Sequence, residues 1–137
     1  MPGKILVVDD SASMRQIMSL ILSQAGYQAD TAPDGPQALT KLAADHKLAI
    51  VDYNMPGMNG VELIRLIRGG TVNKALPILV VTTETEDSKK QEAKSAGATG
   101  WITKPFDQSA LVIVVHYLDN PVEFCTHFHH EHPPDKA

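Results

Sequence analysis

The chain is poor in the features that mark secreted and membrane proteins. It has a single cysteine, Cys125, so it cannot form an internal disulfide, and an isolated thiol is typical of a reducing compartment. Its longest apolar run, from Ala110 to Val115, is far shorter than the roughly 20 residues that cross a bilayer. Only four apolar residues separate Lys4 from Asp9, too few for a signal peptide. We therefore expect a soluble cytoplasmic protein without a membrane segment.

Positive charge is also scarce. The net charge is −4, and no stripe of lysine or arginine runs along the sequence. Nucleic-acid binding normally leaves such a basic footprint, so nucleic acid is not expected as a direct partner. A length of 137 residues suits one domain with a substantial core.

Short apolar runs alternate with helical patterns five times along the chain. The predicted strands cover residues 4–8, 27–32, 48–51, 77–82 and 99–103. Predicted helices begin at Ser13, which starts a capping-box pattern, and at Asp34, Asn59, Glu86 and Asp107. Five β-α units with crossovers this short predict an α/β fold, in which right-handed connections place helices on both faces of a parallel sheet.

Charged residues follow three of the predicted strands. Asp9 and Asp10 follow the first, Asp52 follows the third and Lys104 follows the fifth. The carboxyl ends of parallel strands meet at one edge of a sheet, where such folds bind ligands. Three carboxylates at that edge would repel one another by about 3 kcal/mol per pair at a separation of about 5 Å. Oxygen ligands alone favour a hard cation, so the pattern predicts a site for Mg²⁺.

Four segments stand out around these residues: Asp9-Asp10, residues 52–60, Thr82-Thr83 and residues 97–106. Together they resemble the receiver domain of response regulators, including single-domain chemotaxis regulators. Each segment is weakly specific, but together they lie at the ends of strands one, three, four and five. The resemblance extends from about residue 4 to residue 118 and implies a flavodoxin-like, doubly wound (βα)5 domain with strand order 2-1-3-4-5.

The resemblance also implies a role for each acidic residue. Asp52 would be the phosphoacceptor. Mg²⁺ would be bound by Asp10, Asp52 and the backbone carbonyl of Asn54, whereas Asp9 would act through a water molecule.

Three further residues would transmit the signal in a protein of this family. Lys104 would neutralise phosphoryl charge, and its bond to Pro105 would be cis. Thr82 would donate its hydroxyl to a phosphoryl oxygen, and Trp101 would turn inward in response. Such a protein promotes its own phosphorylation and dephosphorylation but is not a turnover enzyme.

Each of these residues also has a simpler interpretation. Asp9 and Asp10 suit a helix N-terminus, Asp52 suits a turn, Thr82 suits a strand end, and Lys104 could be a solvated lysine. These interpretations do not explain why four segments would meet at one sheet edge.

A Mg²⁺-dependent phosphatase with an aspartyl nucleophile is the alternative from another class. Those enzymes carry Asp-x-Asp after the first strand, whereas here Ser11 follows Asp9 by two residues and Ala12 follows Asp10 by two. The P-loop pattern of nucleotide-binding enzymes is absent from the sequence. Multiple turnover of small phosphate esters would support a phosphatase.

The expected partners are a histidine kinase upstream and a binding target downstream, since no DNA-binding or enzymatic output domain is recognisable. The target could be a flagellar motor switch protein, as in chemotaxis, or a phosphotransfer domain, if the protein is a phosphorelay shuttle or phosphate sink. Lys89, Lys90 and Lys94 make the fourth helix more basic than is usual in chemotaxis regulators.

The last helix carries apolar residues on more than one face. Leu111, Val114, Val115 and Leu118 have the spacing of a buried stripe, which would leave Val112 and Ile113 exposed and available for weak self-association. Residues 1–120 are predicted to form the receiver domain. Residues 121–137 are predicted to form a mobile tail rich in histidine and proline.

Overall fold

Five parallel strands form one sheet in the computed structural model of the protein, which describes residues 3–83 and 87–119. The sheet order β2-β1-β3-β4-β5 and the doubly wound flavodoxin-like fold confirm the predictions. The strands are β1 (Lys4–Val8), β2 (Gln28–Ala32), β3 (His46–Asp52), β4 (Ile78–Thr82) and β5 (Gly100–Thr103).

A helix follows each strand. The bounds lie close to those predicted, as expected for frayed helix ends. The helices are α1 (Ala12–Gln24), α2 (Gly35–Lys41), α3 (Gly60–Gly69), α4 (Asp87–Ala96) and α5 (Gln108–Asp119). None of the helices in the described ranges is long and apolar enough to cross a membrane.

Polar side chains cap the N-termini of four of the helices. Asp34 accepts a hydrogen bond from the Gln37 N–H at 2.9 Å, and Asp107 accepts one from the Ala110 N–H at 2.7 Å. Asn59 and Glu62 form a reciprocal capping box at α3.

The predicted start of the first helix was wrong. The N-cap is Ser11, not Ser13, because the Ser11 Oγ accepts the Met14 N–H at 3.2 Å and the Ser11 backbone is extended. Ser13 already lies within the helix.

The sheet separates two hydrophobic clusters. Side chains alternate along β1, so that Leu6 and Val8 point to one face and Ile5 and Val7 to the other. The first cluster packs beneath α2, α3 and α4, and the second beneath α1 and α5.

Helix α5 departs from its predicted pattern. Leu111, Val115 and Leu118 are buried as expected. Val112 was expected to be exposed but is half-buried, because it lines a groove against Ile21 and Gln24 of α1. Val114, expected within the buried stripe, is also only half-buried, and Ile113 alone is exposed as predicted, at 54%. The predicted tail lies outside the described residues.

Candidate functional site

Three carboxylates meet at the carboxyl edge of the sheet. Val8 of β1 pairs with Val51 of β3, so the residues that follow, Asp9 and Asp52, lie side by side. Oxygen atoms of Asp9, Asp10 and Asp52 all lie within 4.8 Å of one another. Asp9 and Asp52 are buried, whereas Asp10 is exposed.

Lys104 brings a positive charge into this cluster from the end of β5. Its Nζ lies 3.4 Å from the Asp9 Oδ2 and 3.6 Å from the Asp52 Oδ1. Its backbone N–H donates to the Thr82 carbonyl at 2.7 Å, which fixes the lysine beside β4. The Lys104-Pro105 peptide bond is cis, as the resemblance implied.

Backbone and side-chain contacts hold Asp9 in place. Its Oδ1 accepts the Ser11 N–H at 2.9 Å, while its Oδ2 faces Lys104. Arg15 donates from Nη1 to the Asp9 carbonyl at 2.7 Å. The sequence analysis missed Arg15, which is recognisable only by its place on the first turns of α1.

The environment of Asp52 disfavours its charged form. The pKa of Asp52 is raised from 3.8 to about 6, chiefly by burial. The Asp9 carboxylate also raises this pKa, the Lys104 ammonium lowers it, and Asp10 and the Asn54 backbone N–H make smaller opposing contributions. A cation bound here would reverse the balance by stabilising the carboxylate.

The donor set fits a hard divalent cation. Carboxylate oxygens are the ligands that Mg²⁺ prefers. The exposed side of the cluster, at Asp10, leaves room for the waters that this ion retains. The three residues predicted to surround Mg²⁺ through their side chains are thus brought together.

The remaining predicted residues lie beside this cluster. Thr82 is fully buried, and the Asn54 Nδ2 donates to its Oγ1 at 3.5 Å. Trp101 pairs with Val80, two residues before Thr82 and therefore on the same face of the sheet. The Trp101 ring packs edge-on against Tyr53, with ring centroids 5.9 Å apart.

Comparisons with known proteins give this arrangement a family. The family model described as "Response regulator receiver domain" matches residues 5–116, which include every candidate site residue. The chain is 41% identical over 111 residues to the chemotaxis protein CheY1 of Helicobacter pylori, covering 79% of this chain and 90% of that protein. It is 40% identical over 110 residues to CheY-3 of Vibrio cholerae, covering 79% and 85%.

A solved structure agrees with these sequence comparisons. The chemotaxis protein CheY4 of Vibrio cholerae matches with a TM-score of 0.82 at 44% identity, covering 86% of this chain and 99% of that one. The chain therefore belongs to the response regulator receiver family, as a CheY-like signalling domain of two-component systems rather than a turnover enzyme.

Proposed function

We propose that this protein is a cytoplasmic response regulator that accepts a phosphoryl group from a histidine kinase on Asp52. The observation that carries the proposal is the position of Asp52. This buried carboxylate lies beside two other carboxylates and 3.6 Å from the Lys104 ammonium. The site can therefore receive a group with several negative charges next to a nucleophile.

The chemistry follows from the charges around Asp52. One carboxylate oxygen attacks the phosphorus of a phosphohistidine. The P–N bond breaks as the new P–O bond forms, and the imidazole leaves as a neutral ring once it has taken up a proton. Bound Mg²⁺ would supply neutralisation of phosphoryl charge. Lys104, whose Nζ lies 3.6 Å from the Asp52 Oδ1, contributes to that neutralisation, so catalysis consists mainly of positioning and electrostatics.

We assign Mg²⁺ to Asp10, Asp52 and the backbone carbonyl of Asn54, with Asp9 acting through water. Asp9 is less available because its two oxygens already face the Ser11 N–H and the Lys104 ammonium. Asp10 is exposed and lies within the same oxygen cluster, so it is the better candidate for direct coordination.

Labelling by a small acyl phosphate with Mg²⁺ tests the phosphoacceptor. Intact-mass measurement should show one added phosphoryl group on the wild type and on Asp45→Asn, whose exposed carboxylate lies before β3 at the opposite edge. Asp52→Asn should remain unlabelled; labelling equal to that of the wild type refutes the assignment. Many turnovers per chain would instead favour a phosphatase.

We propose that the output is phosphorylation-dependent binding of a target protein on the face formed by α4, β5 and α5, most simply in control of a flagellar motor. The names of the similar chemotaxis proteins support this choice. On this face, Lys90, Lys94 and Trp101 line a shallow pocket, which suits a target with acidic and apolar groups. A phosphorelay shuttle or phosphate sink is the second candidate, with a phosphotransfer domain as its partner.

Capture experiments distinguish the two outputs. A switch-protein peptide should bind more tightly when beryllofluoride and Mg²⁺ mimic the phosphorylated state. Transfer of label from the phosphorylated protein to a histidine phosphotransfer domain, without such a gain in peptide affinity, would favour the shuttle.

We also propose weak self-association through α5, joined by α1. Ile113 is 54% exposed, and Ile17 and Leu20 of α1 are 50% and 60% exposed. These two helices carry few acidic or basic residues. Helix α1 has only Arg15, and α5 has only His116 and the terminal Asp119. A second copy could therefore meet this face without repulsion between like charges.

Sedimentation at increasing concentration tests the interface. Ile113→Lys and Leu20→Lys should weaken association, whereas Leu66→Lys, at an apolar position of α3 that is 49% exposed, should not. A wild type that stays monomeric at high concentration, with and without beryllofluoride, excludes self-association.

A further inference from the structure

Tyr53 lies directly after the candidate phosphoacceptor, Asp52. Its backbone N–H donates to the Val81 carbonyl, and its carbonyl accepts the Gly60 N–H, both at 3.0 Å. These bonds tie Tyr53 to β4 and to the first residue of α3. The backbone of Tyr53 is therefore held rigidly beside Asp52.

The side chain of Tyr53 reaches from this rigid backbone to the output face. The ring is only 4% exposed, and its hydroxyl donates to the Glu92 Oε1 of α4 at 2.8 Å. The Lys89 Nζ lies 5.7 Å from the ring centroid, and Trp101 of β5 packs edge-on at 5.9 Å. One ring thus contacts both α4 and β5, the elements that line the pocket of Lys90, Lys94 and Trp101.

Helix α4 depends on this contact because its own packing is weak. Ala93 and Ala96 are its buried residues, and both lie in its second half. Lys89 and Glu92 both precede these alanines, are three residues apart, share one side of the helix and approach Tyr53. The Tyr53 hydroxyl therefore anchors α4 at Glu92, on the N-terminal side of both alanines.

We propose that Tyr53 is a positioning residue that couples Asp52 to the output face through its hydrogen bond to Glu92. The coupling rests on the proposed role of Asp52 as phosphoacceptor. Because the Tyr53 backbone is held beside Asp52, a displacement of Asp52 is carried to the Tyr53 ring. The ring then moves α4 through Glu92 and changes the packing of Trp101. This route differs from the one through Thr82. It starts at Tyr53, which follows Asp52 in the chain, whereas Thr82 lies at the end of β4.

Two substitutions break the bond from opposite ends. Tyr53→Phe removes only the hydroxyl, and Glu92→Ala removes the acceptor. Either change should speed hydrogen exchange of α4 amides about fivefold in the unphosphorylated protein, because one net hydrogen bond is lost. The double variant should be no faster than either single one. Glu92→Gln should rescue exchange because its amide oxygen still accepts, and Gln91→Ala, at an exposed neighbour, should have no effect.

The emission of Trp101 with beryllofluoride and Mg²⁺ then tests the coupling. Tyr53→Phe and Glu92→Ala should take up one phosphoryl group from acyl phosphate but show a reduced Trp101 response, and Glu92→Gln should restore it. A normal response in both variants overturns the proposal, as does additive exchange in the double variant. Failure of the proposed function is distinguishable, since the wild type would then remain unlabelled whatever the exchange in α4.

Discussion

Replacing Asp52 by asparagine should stabilise the metal-free protein at neutral pH. The folded state holds the Asp52 carboxylate in a buried position beside Asp9, which raises its pKa from 3.8 to about 6. At pH 7.5 the group is ionised in the folded and unfolded states alike, so folding places a charge in an unfavourable environment. Asparagine has a similar shape without that charge.

The size and sign of the effect follow from the two pKa values. Between pH 4 and 6 the folded state retains a proton that the unfolded state releases, so the stability contributed by Asp52 falls as the pH rises through this window. A difference of about two pKa units corresponds to roughly 3 kcal/mol when both states are ionised. The advantage of Asp52→Asn should therefore be about 3 kcal/mol at pH 7.5 and about 1 kcal/mol at pH 4.5.

Urea unfolding at these two pH values, without divalent cations, measures the effect. Carboxylates distant from the site titrate in both proteins and cancel in the difference, and Asp45→Asn serves as an exposed control. Excess Mg²⁺ should reduce the difference at pH 7.5, because the ion stabilises the wild type by about 2.7 kcal/mol when its concentration is 100 times its dissociation constant. An equal pH dependence in wild type and Asp52→Asn would refute the reasoning.

Three further predictions concern the other residues of the site. Asp10→Asn should weaken Mg²⁺ binding far more than Asp9→Asn, as titrations followed by Trp101 fluorescence would show, and wild-type affinity in Asp10→Asn would contradict this. Lys104→Ala should keep the Mg²⁺ affinity of the wild type yet lose the gain in target affinity on phosphorylation; an undiminished gain would remove Lys104 from the switch. Thr82→Ala should diminish the change in Trp101 emission and quencher access that beryllofluoride and Mg²⁺ produce, so an unchanged response would show that the hydroxyl does not drive the motion.

Much of the architecture was predictable because it depends on local patterns. The buried strands of a parallel sheet appear as short β-branched runs, and their ends place Asp9, Asp52 and Lys104 at one edge whatever the details of packing. Helix starts at Asp34 and Asn59 follow from single side chains that cap the backbone.

Contacts between distant elements could not be predicted in this way. Tyr53 and Glu92 are 39 residues apart and meet only because α4 crosses the end of β3 at a particular distance. Ser11 and Ser13 are both plausible caps by type, and the backbone angle at Ser11 decides between them. Val112 is half-buried because α5 lies close to α1, which the spacing of apolar residues does not determine.

The division of the core by the sheet bears on how such a protein can diversify. The cluster beneath α2, α3 and α4 shares no side chains with the one beneath α1 and α5. Substitutions in separate clusters without common neighbours tend to have additive effects on stability. The surface at α4 can therefore acquire the shape of a new target while the opposite layer continues to support the fold, so that one scaffold serves many signalling pathways.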